Sequence, residues 1–257
     1  MKRIIVFGAG GRAGRATVRE AVLRGHEVTA VVRDPARHAT LASAADEAPI
    51  PAADGRVAVG GGRSAVADGR AGTGDAGITA ADGRVAVGRV RVVAGDVTDA
   101  GGVARLAAGH DAAVNAACDL GVPPDVYFTG AARALVDGLT AAGVRRLVAV
   151  GLASVLETPS GTPLMDTPGY PQEYRAFYLG HAAGTDVLRA AAPPALDWLV
   201  LSPAGDFDHG GARTGGYRPA AAEAASRVSY PDFAIALLDE IEAPRHNRVH
   251  LGVEQGL

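Results

Sequence analysis

The chain has 257 residues, a formal net charge of -3 and 48% hydrophobic residues, which suits one α/β domain with a sizeable core. Its basic residues are spread along the chain rather than gathered in one run, which argues against nucleic-acid binding. A single cysteine, Cys118, excludes an internal disulfide and has no neighbour at a metal-ligand spacing, so we expect no bound metal and a cytoplasmic location.

The hydrophobic pattern alternates between strand and helix along most of the chain. Predicted strands cover residues 2–7, 27–32, 90–94, 112–116, 146–150 and 198–201. Predicted helices cover residues 12–24, 100–108, 126–142, 172–191 and 230–241. This alternation predicts a Rossmann-like, doubly wound parallel sheet, in which a ligand lies at the carboxyl ends of the strands.

Two regions depart from the alternation. The tetrapeptide Ala-Asp-Gly-Arg recurs at residues 53–56, 67–70 and 81–84, in a stretch that has little apolar bulk. We expect a surface insertion at about residues 44–88 within a single domain, 1–257, rather than a functional element, although short hairpin strands at 56–59 and 84–87 would fit the pattern. The second region, at about 203–232, is predicted to be a small C-terminal substrate region, with a glycine-rich flap at 208–217.

The first strand runs into a glycine-rich turn that opens a helix. Two spacings overlap there, GxGxxA from Gly8 to Ala13 and GxxGxxG from Gly8 to Gly14. Backbone amides in this context bind a dinucleotide diphosphate, whereas the alternative is a merely tight strand-to-helix turn. The predicted diphosphate-binding residues are Gly8, Gly10, Gly11, Arg12, Ala13 and Gly14.

The residues after the second strand indicate the type of cofactor. An acidic residue there binds the ribose 2′-hydroxyl of NAD, whereas an arginine pairs with the 2′-phosphate of NADP. Arg33 comes first off the strand and Arg37 can join it, while Asp34, before a proline, suits a helix cap. We therefore predict NADP(H), with NAD(H) as the disfavoured alternative and two solvated arginines as the competing interpretation.

The ends of the later strands supply the rest of the predicted cofactor site. Asp96 and Val97 are placed by the adenine, and the segment from Asn115 to Ala117 lies beside the ribose. The complete set after the second strand is Arg33, Arg37, Asp96, Val97, Asn115, Ala116, Ala117, Gly151 and Pro203.

Four segments resemble a known family: residues 31–35 (VVRDP), 95–99 (GDVTD), 143–151 (GVRRLVAVG) and 226–230 (SRVSY). They are similar to those of atypical short-chain dehydrogenases with NmrA-like, NAD(P)H-binding folds, most of all NADH-flavin reductases and, more distantly, flavin/biliverdin reductase B. The resemblance covers the chain outside about residues 44–88. The resemblance implies the fold. It also implies membership of a group that includes reductases, redox sensors without turnover, and enzymes specialised to one metabolite.

The tyrosine and lysine pair of common short-chain dehydrogenases is missing. The only lysine, Lys2, lies in the first predicted strand. Four residues after Tyr174 comes Tyr178, and four residues after Tyr178 comes Ala182, so neither tyrosine has a lysine at that spacing. The resemblance to flavin reductase B, which also lacks the pair, implies direct hydride transfer to a conjugated acceptor, with the proton supplied by solvent.

Four residues near the substrate end are candidates for catalysis. Ser154 is placed to orient the substrate or the nicotinamide amide, and Tyr174 and Tyr178 share one helix face. His181 has a side chain suited to proton transfer. The competing interpretation is that the tyrosines and the histidine only pack.

These observations predict an enzyme, an NADPH-dependent reductase that transfers hydride to a small flavin-like or quinone-like acceptor. The alternatives are an NADP(H)-sensing regulator without turnover, and an enzyme of specialised metabolism that acts on a carbonyl or imine or catalyses isomerisation or dehydration. The only partner expected is a small-molecule substrate, with no membrane partner because no apolar run reaches the ~20 residues of a membrane span. Monomer and homodimer both remain open.

Overall fold

The computed structural model describes residues 1–43, 78–79, 85–86 and 89–256. The strands are β1 (Arg3–Phe7), β2 (Glu27–Val32), β3 (Ile78–Thr79), β4 (Val85–Ala86), β5 (Arg89–Ala94), β6 (Ala112–Asn115), β7 (Arg146–Val150), β8 (Asp197–Pro203), β9 (Asp206–Asp208), β10 (Tyr217–Pro219), β11 (Arg227–Ser229) and β12 (Val249–Gln255). The α-helices are α1 (Arg12–Leu23), α2 (Ala100–Ala107), α3 (Pro124–Ala142), α4 (Arg175–Ala191) and α5 (Tyr230–Glu242), and 3-10 helices cover Pro35–Ser43, Ala153–Val155 and Leu164–Asp166.

Eight of these strands form one sheet in the order β10-β12-β8-β7-β6-β1-β2-β5. All neighbouring strands are parallel except β10, which pairs antiparallel with β12. The predicted Rossmann-like, doubly wound fold is therefore confirmed. Because β1 lies between β2 and β6, the strand order reverses at β1, and the crevice at its carboxyl end is where such folds bind ligands.

Two hydrophobic cores cover the two faces of the sheet. Successive side chains of a strand point to opposite faces, so Val6 packs with Phe233 under α1 and α5, and Phe7 packs with Leu139 and Trp198 under α2, α3 and α4. All five side chains are buried. This burial on both faces is why the central strands read as continuous apolar runs in the sequence.

The sequence analysis missed the edge of the sheet. β12 and β10 were not predicted, and β8 extends to Pro203. β12 is only half covered, so polar and glycine residues such as His250 and Gly252 can occur in it. Its seven residues therefore lack the continuous apolar run of a central strand. α4 also starts at Arg175 rather than at residue 172.

Part of the predicted insertion lies within the described residues. β4 falls inside the predicted strand at 84–87 and pairs antiparallel with β3. The other predicted hairpin strand, at 56–59, lies outside the described residues. The single-domain boundaries and the insertion therefore stay predictions.

The glycine-rich segment at 208–217 is anchored at its far end. The carboxylate of Asp232, fully buried at the start of α5, accepts hydrogen bonds from the backbone amides of Thr214 and Gly215 and from the side chain of Gln255. Burial opposes ionisation of this carboxyl group, but these hydrogen bonds prevail and lower its pKa. The charged Asp232 thus ties the end of the segment to α5 and β12.

Across the described ranges, no helix is both long and apolar enough to cross a lipid bilayer.

Candidate cofactor and substrate site

A cavity of about 490 Å³ opens at the carboxyl ends of β1, β2, β5 and β6. Its lining includes eight of the predicted cofactor residues, namely Gly8, Gly10, Gly11, Arg33, Asp96, Val97, Ala116 and Ala117. Its lining also includes five residues that were not predicted to bind the cofactor: His38, Thr98, Cys118, Asp119 and Tyr127. The position is the one that the reversal of strand order predicts.

The glycine turn brings backbone against backbone. A Cβ atom on Gly14 would lie 2.2 Å from the carbonyl oxygen of Gly8, and a Cβ atom on Gly8 would lie 2.4 Å from the amide nitrogen of Ala117. Gly8 also has a positive φ of 75°, which disfavours other residues. By contrast, a Cβ atom on Gly11 would meet its nearest neighbour, the oxygen of Gly8, at 3.5 Å. The glycines needed by the fold itself are therefore Gly8 and Gly14.

A pair of side chains holds the turn from the other side. Arg15 donates from Nε to the carbonyl oxygen of Gly10 at 3.0 Å, and its Nη2 lies 3.1 Å from Nδ1 of His38. A Cβ atom on Gly10 would lie 2.6 Å from the His38 ring. A side chain at position 10 would therefore require the His38 ring to shift. No local sequence signal marks His38, because its contact with the turn is formed only by folding.

The two arginines after β2 are placed differently. Arg33 lines the cavity, and its guanidinium forms an ion pair with Asp119, which follows β6. Arg37 does not line the cavity; its side chain is 77% exposed and lies 3.7 Å from the Asp34 carboxylate. The structure therefore brings Arg33, but not Arg37, to the predicted cofactor site.

The ends of β5 and β6 are shaped by short-range hydrogen bonds. Asp96 accepts from both the backbone amide and the hydroxyl of Thr98, at 2.9 and 2.7 Å. The side-chain oxygen of Asn115 accepts from the amide of Ala117 at 3.1 Å. These bonds hold the loops after both strands in the shape that forms the cavity wall.

Arg12 and Ala13 lie outside the lining of this cavity. Arg12, at the first position of α1, contacts Nδ1 of His209 through Nη1 at 2.8 Å, and Nδ1 of His209 also lies 3.3 Å from the hydroxyl of Tyr230. Ala13 packs against Tyr230. This side of the glycine turn therefore faces the segment at 208–217 and α5 rather than this cavity.

A second polar group of side chains lies at the ends of β7 and β8. Ser202 Oγ is 2.7 Å from His250 Nε2, and a Cβ atom on Gly151 would lie 2.5 Å from that oxygen. Burial and, to a smaller extent, Arg189 lower the pKa of His250 to about 4. Pro203 follows Ser202 at the end of β8.

His181 is held between aromatic rings. Its ring centroid is 3.8 Å from that of Phe128 and 5.0 Å from that of Phe177. Burial and, to a smaller extent, the nearby His250 lower the pKa of His181 to about 3. The imidazole is therefore neutral at physiological pH, which the sequence-based argument from an unperturbed histidine pKa did not foresee.

The other catalytic candidates are buried or packed against neighbouring side chains and do not line the cavity. Ser154 is fully buried, and its hydroxyl has no hydrogen-bond partner among the described residues. Tyr178 is 7% exposed and packs edge-on against Tyr170, and burial raises its pKa to about 12. Tyr174 lies beside it, with ring centroids 6.5 Å apart. None of the four candidates lines the 490 Å³ cavity, and their catalytic roles stay predictions.

Within the described part of the chain, no cluster of three or more histidine, cysteine or acidic side chains is arranged to hold a metal ion.

The glycine contacts generate a test of the fold. The Gly14→Ala substitution is expected to lower the free energy of unfolding by about 1–3 kcal/mol, because its Cβ atom must displace the Gly8 carbonyl. Gly11→Ala is the matched control and is expected to change it by less than about 0.5 kcal/mol. Urea unfolding without added nucleotide measures both. Equal losses in the two variants would contradict the assignment.

The lowered histidine pKa values predict a pH dependence of stability. Between pH 7 and pH 5 the unfolded chain protonates His181 and His250 near their ordinary pKa of about 6.5, whereas the folded chain keeps both neutral. The free energy of unfolding should therefore fall as the pH is lowered from 7 to 5, by at most about 2 kcal/mol per histidine. Urea unfolding at both pH values should show a smaller fall for His181→Gln than for the parent chain, and an unchanged fall would refute the burial argument.

Comparison with known proteins places the chain among nucleotide-binding proteins. The uncharacterized protein YwnB of Bacillus subtilis (strain 168) is 31% identical over 254 residues, which are 95% of this chain and 94% of that protein. A "putative exported protein" of Burkholderia pseudomallei has a solved structure that matches with a TM-score of 0.70 and 29% identity, over 99% of this chain and 100% of that one.

A further solved structure, a "putative NADH-flavin reductase" of Streptococcus pneumoniae TIGR4, matches with a TM-score of 0.68 and 25% identity over 100% of both chains. The sequence profile described as NAD(P)H-binding matches residues 79–244, more than half of the chain. The prediction of an oxidoreductase that uses a nicotinamide cofactor agrees with these similarities. The chain belongs to the NAD(P)H-binding family.

Proposed function

We propose that this protein is an NADPH-dependent reductase that transfers hydride to a small conjugated acceptor, flavin-like or quinone-like. The observation that carries the proposal is the cavity of about 490 Å³ at the reversal of strand order, whose floor is the side-chain-free backbone of the glycine turn. A dinucleotide diphosphate needs that close approach of backbone amides at a helix start. Similarity to a protein named as a flavin reductase supports the choice of acceptor.

The cofactor would lie along the carboxyl ends of the strands. Its diphosphate would rest on the segment from Gly8 to Gly14, and its adenosine between Arg33 and the Asp96–Val97 turn. Asn115, Gly151 and Pro203 would then lie towards the nicotinamide, because they end the next strands of the sheet. The turn fits such a group because Gly8, Gly10 and Gly11 line the cavity and expose backbone there rather than side chains.

Arg33 is the basis for choosing NADPH over NADH. It is the basic side chain that both follows β2 and lines the cavity, so it is placed to meet a 2′-phosphate with charge-assisted hydrogen bonds. Its present partner is the Asp119 carboxylate. A 2′-phosphate would compete with that carboxylate for the same guanidinium.

The substrate end of the site favours an acceptor that needs little acid catalysis. A bound nicotinamide supplies hydride there. His181 is neutral, and Tyr178 is buried with a raised pKa and without a lysine to lower it. A conjugated acceptor delocalises the incoming electron pair, so the chain has chiefly to bind and orient the two reactants and to exclude water.

Turnover with a panel of acceptors tests the function. The chain is expected to oxidise NADPH, followed by absorbance, in the presence of free flavin or a small quinone, and to transfer the deuterium of labelled NADPH to the product. A carbonyl substrate serves as the comparison acceptor. Tight NADPH binding with no turnover on any acceptor would favour an NADP(H)-sensing regulator, and turnover on the carbonyl alone would favour the enzyme of specialised metabolism.

Arg33→Ala tests the cofactor preference. Loss of its hydrogen bonds to the 2′-phosphate should weaken NADPH binding by about 1.5–3 kcal/mol, or roughly 10- to 100-fold, and leave NADH binding unchanged. Arg37→Ala, which removes an exposed arginine that does not line the cavity, should change either affinity less than about threefold. Calorimetric titration with both nucleotides measures the change. Parallel losses for NADPH and NADH in Arg33→Ala would contradict the role of Arg33.

A further inference from the structure

The Ser202–His250 pair is a buried polar contact that the proposed function has not used. Ser202 is fully buried in β8, and its hydroxyl lies 2.7 Å from Nε2 of His250 in the neighbouring strand β12. Val200, two residues before Ser202, packs in the core under α4, so the alternation of β8 directs Ser202 to the same face. The pair therefore lies between β12 and α4, near the carboxyl end of the sheet.

On one side the pair faces the end of β7. Gly151 follows β7 directly and donates its amide to Leu201, beside Ser202. A Cβ atom on Gly151 would lie 2.5 Å from Ser202 Oγ and 3.0 Å from His250 Nε2. Glycine at this position lets the end of β7, where the proposed function places the nicotinamide and acceptor, lie directly against the pair.

On the other side the pair reaches a second cavity. His250 lines a cavity of about 660 Å³ at the surface, together with the charged side chains of Glu157, Arg189 and Arg248. Arg248 is held there by the carbonyl oxygens at the end of α4, and Arg189 by Asp186. His250 therefore lines a polar cavity and also contacts a buried hydroxyl.

The interior next to the pair has room for water. His181 and Asn115 line a narrow cavity of about 40 Å³ at the ends of β6 and β7, which is enough for one water molecule. His181 and His250 lie close enough for the charge of one to disfavour protonation of the other. Asn115 belongs to the predicted cofactor site, so this small cavity adjoins the substrate end.

We propose that Ser202 and His250 form a proton path between the surface cavity and the substrate end of the cofactor site. A serine hydroxyl and an imidazole can each accept one proton and donate another, which a relay requires. The proposal rests on the proposed reductase function. Both residues are positioning residues, since they act through a water molecule that protonates the acceptor.

The proton path supplies the proton that reduction of the acceptor requires. The acceptor receives one hydride, which carries two electrons, from NADPH and becomes an anion, while NADPH leaves as NADP⁺. The anion takes a proton from a water molecule in the site. The resulting hydroxide regains a proton from the Ser202 hydroxyl, which takes one from His250 Nε2, and His250 takes one from water in the surface cavity. In total, NADPH, the acceptor and one solvent proton are consumed, and NADP⁺ and the acceptor reduced by two electrons are formed.

Three variants test the path in the full-length chain. His250→Gln keeps an amide near the position of Nε2 and can hold Ser202, but it cannot relay a proton. Ser202→Ala removes the hydroxyl with little change of volume. His110→Gln is the matched control, because His110 makes the same kind of contact, Nε2 to the Thr29 hydroxyl at 2.8 Å, far from the site. Thermal unfolding and NADPH titration confirm that each variant folds and binds.

With a quinone acceptor, His250→Gln and Ser202→Ala are expected to lower kcat about tenfold or more, with NADPH affinity within twofold of the parent chain. Their solvent deuterium isotope effect should rise, and added imidazole should restore much of the rate of His250→Gln. His110→Gln should match the parent in every measurement. A merely structural pair would give a loss that imidazole does not restore and an unchanged isotope effect, and that result overturns the proposal.

These outcomes distinguish a failure of the proton path from a failure of the proposed reductase function. Parent-like kcat and isotope effects in both folded variants overturn the proton path and leave the reductase intact. Failure of the parent chain itself to oxidise NADPH with any acceptor overturns the reductase, and the proton path with it. If His250→Gln does not fold, the rate and isotope effect of Ser202→Ala alone show whether the proton path exists.

Discussion

The carbonyl of Gly8 lies where the Cβ atom of any other residue at position 14 would have to be. This contact lets α1 start directly against the end of β1, and Gly8 in turn lies against the backbone of Ala116 and Ala117 at the end of β6. Three pieces of backbone therefore meet at the point where the strand order reverses. Gly8, Gly10 and Gly11 line the cavity beside this meeting point without side chains, just before the start of α1, where helices bind anions.

The two ends of the site differ in solvation, and this difference sets their chemistry. At the end that we propose for the adenosine, Arg33, Asp96 and Asp119 are charged side chains that line an open cavity. At the end that we propose for the substrate, His181 and His250 are held neutral, chiefly because burial penalises their charged forms. Under the proposed function, binding of a charged cofactor and transfer of hydride would take place in separate environments. A neutral, lysine-free substrate end suits an acceptor that stabilises its own negative charge.

Some elements could be predicted from sequence because their physical cause is local. The central strands are buried on both faces and carry continuous apolar runs, and the glycine turn follows a strand and opens a helix. β12 and β10 were missed because they form the half-covered edge of the sheet, where packing demands less of the sequence. Local spacing also left the two glycine registers open. Only the contact between Gly14 and Gly8, made after α1 packs on the sheet, distinguishes the glycines that the fold needs.

The sequence by itself determined the alternating α/β architecture, the dinucleotide-type turn and the absence of a tyrosine-lysine pair, because these depend on residue type and short spacing. Only the tertiary structure decided which arginine reaches the cavity, that His38 and Arg15 hold the turn, and that Ser202 meets His250 across 48 residues. It also decided that His181 is neutral. Such contacts and pKa values depend on burial and on partners distant in the chain, which are established when the sheet and helices pack together.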